Sequence, residues 1–350
     1  MESVLIGLAR TGRTTIFNAL TGQDMAVGDA SLARRQPYLS EVKVPDDRLD
    51  KLAALFHPRK LTHAAVLFKD PQLDQDDKGN ISATSLAEVR KADAIAVVVR
   101  AFVSEGVEPA FPGATPLGEL RRILASLVFG DLEISEKRLA RLDKEAKRDT
   151  REYKVLQQIV ATLGTGKPLG AGFLTSEDQR LFAGFGFLTT KPLFVVVNTG
   201  EKALPHEDLV KEAAAQGIHV FPIRGDMEME ISRLSPKDQV AFLQDLGLQE
   251  PARNRFLRHV YSTLNLVSFF TVGDDECKAW SIRQGTNAVG AAGEIHTDLA
   301  KGFIRAEVAA WQDVVEYGDL TKAKKGNKVR LEGKDYVVRD GDVVLIRFNV

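Results

Sequence analysis

The sequence is poor in cysteine: Cys277 is the single one in 350 residues. One thiol can form neither an internal disulfide nor a structural zinc site, so a reducing compartment fits and a cysteine-built metal cluster does not. An excess of charge of one sign is also missing. Lys and Arg number 47 against 48 Asp and Glu, a net charge of -1, which excludes a protein that coats nucleic acid by overall charge. Any contact with RNA must then come from a local patch. No apolar run approaches the ~18 residues that a membrane helix needs, and residues 1–7 lack the basic stretch and long apolar run of a secretory leader. A cytoplasmic protein with no membrane partner is the expectation. His57, His63, His206, His219, His259 and His296 show no metal-ligand spacing and are read as surface or packing residues. What is present is ordinary for a soluble chain. Hydrophobic residues at 44% and charged ones at 27% support a real core, divided among two or three domains.

Five short runs, 3–6, 64–68, 94–102, 193–197 and 219–223, are rich in Val, Ile or Phe and continuous rather than alternating. Such runs suit strands buried on both faces of a mostly parallel sheet. Helical patterns at 47–56 and 206–216 supply crossovers, giving an α/β doubly wound domain. From 116 to 164 the texture changes to leucines at helical spacing amid dense mixed charge. Glu133 with Lys137 and Asp143 with Lys147 stand four apart in the favourable order, and Asp149-Thr150 marks a break between two helices. An antiparallel helical hairpin inserted in the sheet domain is expected, its charge read first as a solvated face and second as a partner contact. After a helical linkage over 238–266, strand-like stretches at 279–282, 334–338 and 343–346, with a turn at Asp340-Gly341-Asp342, indicate a small mixed β/α module.

The chemistry sits at Gly7-Leu8-Ala9-Arg10-Thr11-Gly12-Arg13-Thr14, one residue from the P-loop pattern G-x-x-x-x-G-K-[ST]. Two glycines let the loop bend so that its N–H groups face a phosphate, and the following helix adds its positive end. Gly7, Ala9, Arg10, Thr11, Gly12, Arg13, Thr14 and Thr15 are therefore candidate nucleotide-binding residues. Arg13 keeps the charge of the usual lysine but presents a planar fork; Thr14 keeps the hydroxyl that ligates Mg²⁺. The bland alternative is a glycine-containing turn with no ligand. Downstream, Asn198-Thr199-Gly200-Glu201 closes an apolar run. There Asn198 can serve a purine and the loop backbone, and Glu201 can accept from base N–H donors. By itself N-x-x-E also describes a turn with a helix cap.

With these motifs, the chain resembles the YchF branch of the Obg-like P-loop ATPases over nearly its whole length. The residues that carry the likeness are 13–21, 44–49, 198–201, 242–248, and above all Ala291-Ala292-Gly293-Glu294-Ile295-His296-Thr297-Asp298, 301–307, 330–336 and 347–350. The resemblance implies a P-loop NTPase-type domain over 1–112 and 186–266, an inserted coiled-coil domain over 113–185, and a ubiquitin-like α+β TGS domain over 267–350. It further implies ribosome binding, a monomer, ATP with Mg²⁺, and a preference for ATP over GTP, since N-x-x-E stands in place of the guanine-reading N-K-x-D.

Three departures from the family pattern fall on phosphate or metal contacts. Gly12-Arg13-Thr14 replaces G-K-S. Asp70-Pro71-Gln72-Leu73 replaces D-I-A-G, losing the glycine whose N–H meets the γ-phosphate, while Pro71 has no N–H at all. Behind it, 74–80 is short and acidic, and the Thr expected to complete the metal shell corresponds to Arg34. Arg13 and Asp70 are the catalytic candidates, and Thr14 with Asp70 the metal candidates. Hydrolysis is expected to be impaired; the alternative is an RNA- or ribosome-binding adaptor that has lost nucleotide. For RNA or ribosome contact the candidates are Lys322, Lys324, Lys325 and Lys328, extended by Lys301 and Arg305 if 298–305 is helical.

Overall fold

The computed structural model describes residues 1–28, 36–75, 80–104 and 106–349, in two units. Met1–Glu41 with Leu67–Arg253 make the first; Val42–Val66 with Asn254–Val350 make the second.

In the first unit the sheet contains β1 (Glu2–Ile6), β2 (Tyr38–Lys43), β4 (Ala65–Asp70), β5 (Ala94–Ala101), β6 (Leu193–Thr199) and β7 (His219–Arg224), in the order β2-β4-β1-β5-β6-β7. The pairings β1–β4, β1–β5, β5–β6 and β6–β7 are parallel. All eight residues of β5 are buried, as its unbroken Val and Ile content demands. The five expected strands are present; β2, short and half polar, escaped the pattern. Because β1 lies between β4 and β5, the chain order reverses at β1. Its carboxyl end therefore opens onto a crevice, where such sheets bind ligands. The expected crossover at 206–216 is the helix Glu207–Ala215. The other one is a correction: Asp47–Phe56 is a helix, capped by the Asp46 carboxylate on the Arg48 N–H, but it belongs to the second unit.

The helical hairpin runs from Pro116 to Lys144 and from Arg151 to Gly164. Thr115 and Thr150 cap the two helices by accepting the Gly118 and Tyr153 N–H groups. Arg138 joins them through Glu152 at 2.7 Å, over a core of Val128, Leu142, Tyr153, Leu156, Ile159 and Leu163. The Glu133–Lys137 pair forms at 2.6 Å. The expected Asp143–Lys147 pair does not. The first helix ends at Lys144, so Arg148 takes Asp143 at 2.6 Å and Lys147 takes Glu145 at 2.8 Å.

At the hairpin's base, Asp131 is fully buried. Arg90 pairs with it at 2.6 Å, the Leu188 and Thr189 N–H groups donate to it at 3.0 and 2.8 Å, and the Thr189 hydroxyl does so at 2.9 Å. Four donors on one carboxylate offset its desolvation.

The second unit's sheet contains β3 (Lys60–Thr62), β8 (Leu266–Thr271), β9 (Glu276–Arg283), β10 (Phe303–Ala310), β11 (Arg330–Glu332) and β12 (Asp342–Phe348), in the order β11-β10-β12-β8-β9-β3. Its core gathers Phe269, Ile282, Ala288, Ala291, Phe303 and Val344. The helix Asp47–Phe56 packs here: the Arg48 guanidinium lies 5.3 Å from the Phe270 ring centre and pairs with Asp46 and Asp340. Gly341, at φ 90°, makes the expected turn. Two expectations are corrected. Residues 334–338 form no strand and contribute only the bridge Asn287–Val337. Arg305 is not helical, since the helix Thr297–Lys301 ends at Gly302 and Arg305 lies on β10. The linkage over 238–266 is two helices, Pro236–Asp245 and Ala252–Thr263. Among the described residues, no helix is long and apolar enough to cross a membrane.

Replacing Asp131 with Ala leaves Arg90 and two buried N–H groups without their acceptor, so we expect a loss of about 3–5 kcal/mol. Urea unfolding monitored by circular dichroism measures it; a loss below about 1 kcal/mol, typical of surface positions, would mean that this network does not hold the hairpin's base.

Candidate nucleotide site

The loop from Gly7 to Gly12 leaves the end of β1 and enters the helix Arg13–Thr21. Its bend depends on backbone that few residues accept: Arg10 has φ 63° and Gly12 has φ 78°. Gly12 is glycine for a second reason, because a Cβ there would collide with the Asn198 amide. A Cβ at Gly7 would stand 2.7 Å from the Val98 carbonyl oxygen. The Thr11 hydroxyl donates to the Leu8 carbonyl at 3.1 Å, tying the loop to itself.

Asn198, 4% exposed, braces the loop from β6. Its Nδ2 donates to the Thr11 carbonyl at 3.0 Å, and its Oδ1 accepts the Gly225 N–H at 3.2 Å. Each amide atom retains one further hydrogen-bonding position. Gly225 was not singled out in the sequence, although a glycine directly after a strand is the available signal. A Cβ there would stand 2.7 Å from Asn198 Oδ1.

Beside the loop lies a cavity of about 440 Å³ lined by Thr15, Phe102, Ser104, Asn198, Glu201 and Asp226. Glu201 is exposed on it. The structure thus brings the loop, Asn198 and Glu201 together, although nearly 190 residues separate them in sequence. Phe102 and Asp226 carried no motif and were missed.

Arg13 and Asp70 also meet. The Arg13 Nε donates to Asp70 Oδ1 at 2.5 Å, Nη2 to the Pro71 carbonyl at 2.8 Å and Nη1 to the Gly7 carbonyl at 3.3 Å. Thr14 Oγ1 donates to Asp70 Oδ2 at 3.0 Å. Pro71, which cannot donate, accepts instead. Leu73, where the family pattern has glycine, packs against the apolar core of the first unit. Arg34 and residues 76–79 lie outside the described residues.

The basic candidates of the second unit are exposed, and most are already paired. Lys301 meets Asp298 at 3.6 Å, Lys322 meets Asp319 at 3.3 Å, Lys324 meets Glu307 at 2.8 Å and Lys328 meets Asp313 at 3.0 Å. Among the described residues, Lys325 and Arg305 have no carboxylate partner. Lys322, Lys324 and Lys325 occupy the last turn of the helix Leu320–Lys325, where cations favour the helix dipole.

A parallel sheet with a glycine loop between β1 and a helix, braced by an Asn from β6, defines a P-loop NTPase-type protein. The comparisons with known proteins narrow that class. The chain is 37% identical to the "Ribosome-binding ATPase YchF" of Haemophilus influenzae and 34% identical to that of Bacillus subtilis, each over 99% of this chain and 98% of the relative. It matches the structure of the Schizosaccharomyces pombe YchF GTPase with a TM-score of 0.86 at 25% identity, covering 99% of this chain and 97% of that one. Residues 266–349 match the family model YchF-GTPase_C, described as a protein of unknown function (DUF933). The chain belongs to the YchF family.

Next to the cavity, Arg100 lies 4.6 Å from the Phe102 ring centre, and its N–H donates to Glu119 Oε2 at 2.7 Å. Glu119 is 1% exposed, and burial pushes its carboxyl up to about 7 from 4.5. Folded protein therefore holds this proton more tightly than unfolded chain. Stability from this group falls as pH rises from about 4.5 to about 7, by an amount on the order of 3 kcal/mol. Glu119→Gln should flatten that slope in unfolding measured at several pH values. An unchanged slope would assign it to other groups.

Proposed function

We propose that this chain is a ribosome-associated purine-nucleotide-binding protein that prefers ATP to GTP and hydrolyses it slowly. The observation that carries the reading is the complete loop, with its Asn198 brace and adjoining cavity, combined with an Arg13 turned onto the Asp70 carboxylate. Phosphates would rest on residues 7–15, and the base would lie by Asn198 and Glu201. The Glu201 carboxylate can accept from a base N–H donor. Ribosome binding is suggested by the names of the relatives, and ATP preference by N-x-x-E.

Slow hydrolysis follows from what the site lacks as a charge stabiliser. Phosphoryl transfer is catalysed mostly by positioning and electrostatics. Removing one donor aimed at developing charge lowers turnover by about 10²–10³-fold; here Pro71 has no N–H to give, and Leu73 lacks the backbone freedom of the glycine it replaces. A second reading, an adaptor that binds no nucleotide, draws on the same guanidinium: bound to the Gly7 carbonyl, Arg13 fills part of the cradle with the chain's own cation.

Calorimetric titration with ATP, GTP, ADP and GDP separates these readings. Tighter binding of GTP would reverse the assigned preference, and no binding of any of the four would favour the adaptor. In steady-state turnover, Arg13→Lys alone should not restore a fast rate; full recovery would show the changes at Pro71 and Leu73 to be harmless.

Ribosome contact is assigned to the exposed cations of the second unit. Their ion pairs are surface pairs worth about 0–1 kcal/mol, so phosphate oxygens can displace the carboxylates. Replacing Lys322, Lys324, Lys325 and Lys328 together with Glu should weaken co-sedimentation with ribosomes and flatten its salt dependence. Co-sedimentation unchanged at moderate salt would move the contact elsewhere, first to the helical hairpin.

A further inference from the structure

P-loop sites of the usual sequence hold Mg²⁺ between the loop's hydroxyl residue and a carboxylate at the end of a neighbouring strand. Here those groups are Thr14 and Asp70, and their arrangement does not fit the ion. Both carboxylate oxygens are engaged, Oδ1 by Arg13 Nε at 2.5 Å and Oδ2 by the Thr14 hydroxyl at 3.0 Å. The Asp70 side chain is fully buried and that of Arg13 is 15% exposed, so one cation and one anion already neutralise each other away from water. Mg²⁺ demands an octahedral shell with oxygens at about 2.0–2.1 Å and keeps several waters. To take Asp70 as a ligand it would have to break a buried ion pair and leave the guanidinium beside a divalent cation, both unfavourable. Two carbonyls hold that guanidinium from other sides, Pro71 at 2.8 Å and Gly7 at 3.3 Å, so its position does not rest on Asp70 alone. A lysine at 13 would donate from one nitrogen, whereas Arg13 reaches the carboxylate and the two carbonyls from three nitrogens spread over a plane.

We propose that Arg13 replaces the divalent cation at this site, so that the chain binds purine nucleotide without Mg²⁺. With the guanidinium holding Asp70 beside the loop, no carboxylate is left to call for a divalent ion, and the loop's N–H groups and the helix N-terminus supply the phosphate contacts. The proposal rests on the nucleotide-binding reading above and adds to it a cation requirement opposite to that of the usual site.

The test is the Kd of the full-length chain for ATP and for ADP, measured by calorimetry in EDTA and again in excess Mg²⁺. The two values should agree within about twofold, whereas in Arg13→Lys, which frees one Asp70 oxygen, EDTA should weaken binding about tenfold or more, a difference of ~1.4 kcal/mol. Binding by the unsubstituted chain that needs Mg²⁺ would overturn the proposal and leave the nucleotide-binding reading standing. Absence of binding in both buffers would overturn both. Because the unsubstituted chain decides the matter, a poorly folded Arg13→Lys leaves the test intact. Electron paramagnetic resonance of Mn²⁺ gives a second readout: with ADP bound, the unsubstituted chain should show no metal held by a protein ligand, and a protein-coordinated signal would contradict the proposal.

Discussion

The candidate nucleotide site hangs on one topological constraint, the position of β1 between β4 and β5. Parallel strands must all be covered on both faces, so their ends are where polar groups can gather. The reversal of chain order at β1 sets the loop 7–12 at the sheet's carboxyl edge, with Arg10 exposed, and brings the end of β4, with Asp70, to its side. On the other flank β6 delivers Asn198, whose register partner on β5 is Arg100. Each group at the site sits at the carboxyl end of a strand, in the loop that follows one, or in the first turn of the helix beyond it. β5 is buried along its whole length and β1, β4 and β6 along most of theirs, so they cannot shift without opening cavities.

Within that frame the Arg13–Asp70 pair decides the character of the site. A buried ion pair is weak as a source of stability but strongly resists the loss of either partner. The departures at 13, 71 and 73 form one arrangement. Arg13 takes the carboxylate, Pro71 exposes only an acceptor to it, and Leu73 fills core volume that glycine would leave empty. Arg13 and Pro71 satisfy each other's polar groups, while Leu73 packs against the apolar core beside them.

The two polar clusters around the hairpin show how the insertion is fastened. Asp131, from the middle of the long helix, accepts Arg90 and the backbone of 188–189, so the hairpin is held where it leaves the sheet domain. Glu119, one turn into the same helix, accepts the Arg100 N–H and thereby touches the strand that leads to Phe102 and the cavity. In the second unit, by contrast, the basic candidates lie on the surface and most pair with exposed or half-buried carboxylates. The basic run reads as an excess of positive charge only while its carboxylate partners at 298, 307, 313 and 319 are ignored.

Much was legible in the sequence because the signals were local. Continuous Val and Ile runs marked five strands, four of them largely buried and the fifth, His219–Arg224, buried only at Ile223; glycine spacing marked the loop, and Thr150 marked the start of the second hairpin helix. The motifs that survive from the family marked the C-terminal module. What failed depended on partners far away in the chain. The amphipathic pattern of 47–56 specified a helix but not its company, since an apolar stripe can pack on any sheet; only the folded chain sets it against Phe270. Lys334 to Val338 has strand-like content, yet a strand exists only where a neighbour offers a ladder, and Val337 finds a single bridge. Arg305 lost its helical neighbour because Gly302 ends the helix before it. Residue identity alone determined that a phosphate-sized loop, a buried parallel sheet and an inserted hairpin would form, since each follows from the chemistry of adjacent residues. Tertiary structure alone decided which oxygen Arg13 would bind, because nothing in eight consecutive residues says that a carboxylate 57 positions later will lie within reach of its guanidinium.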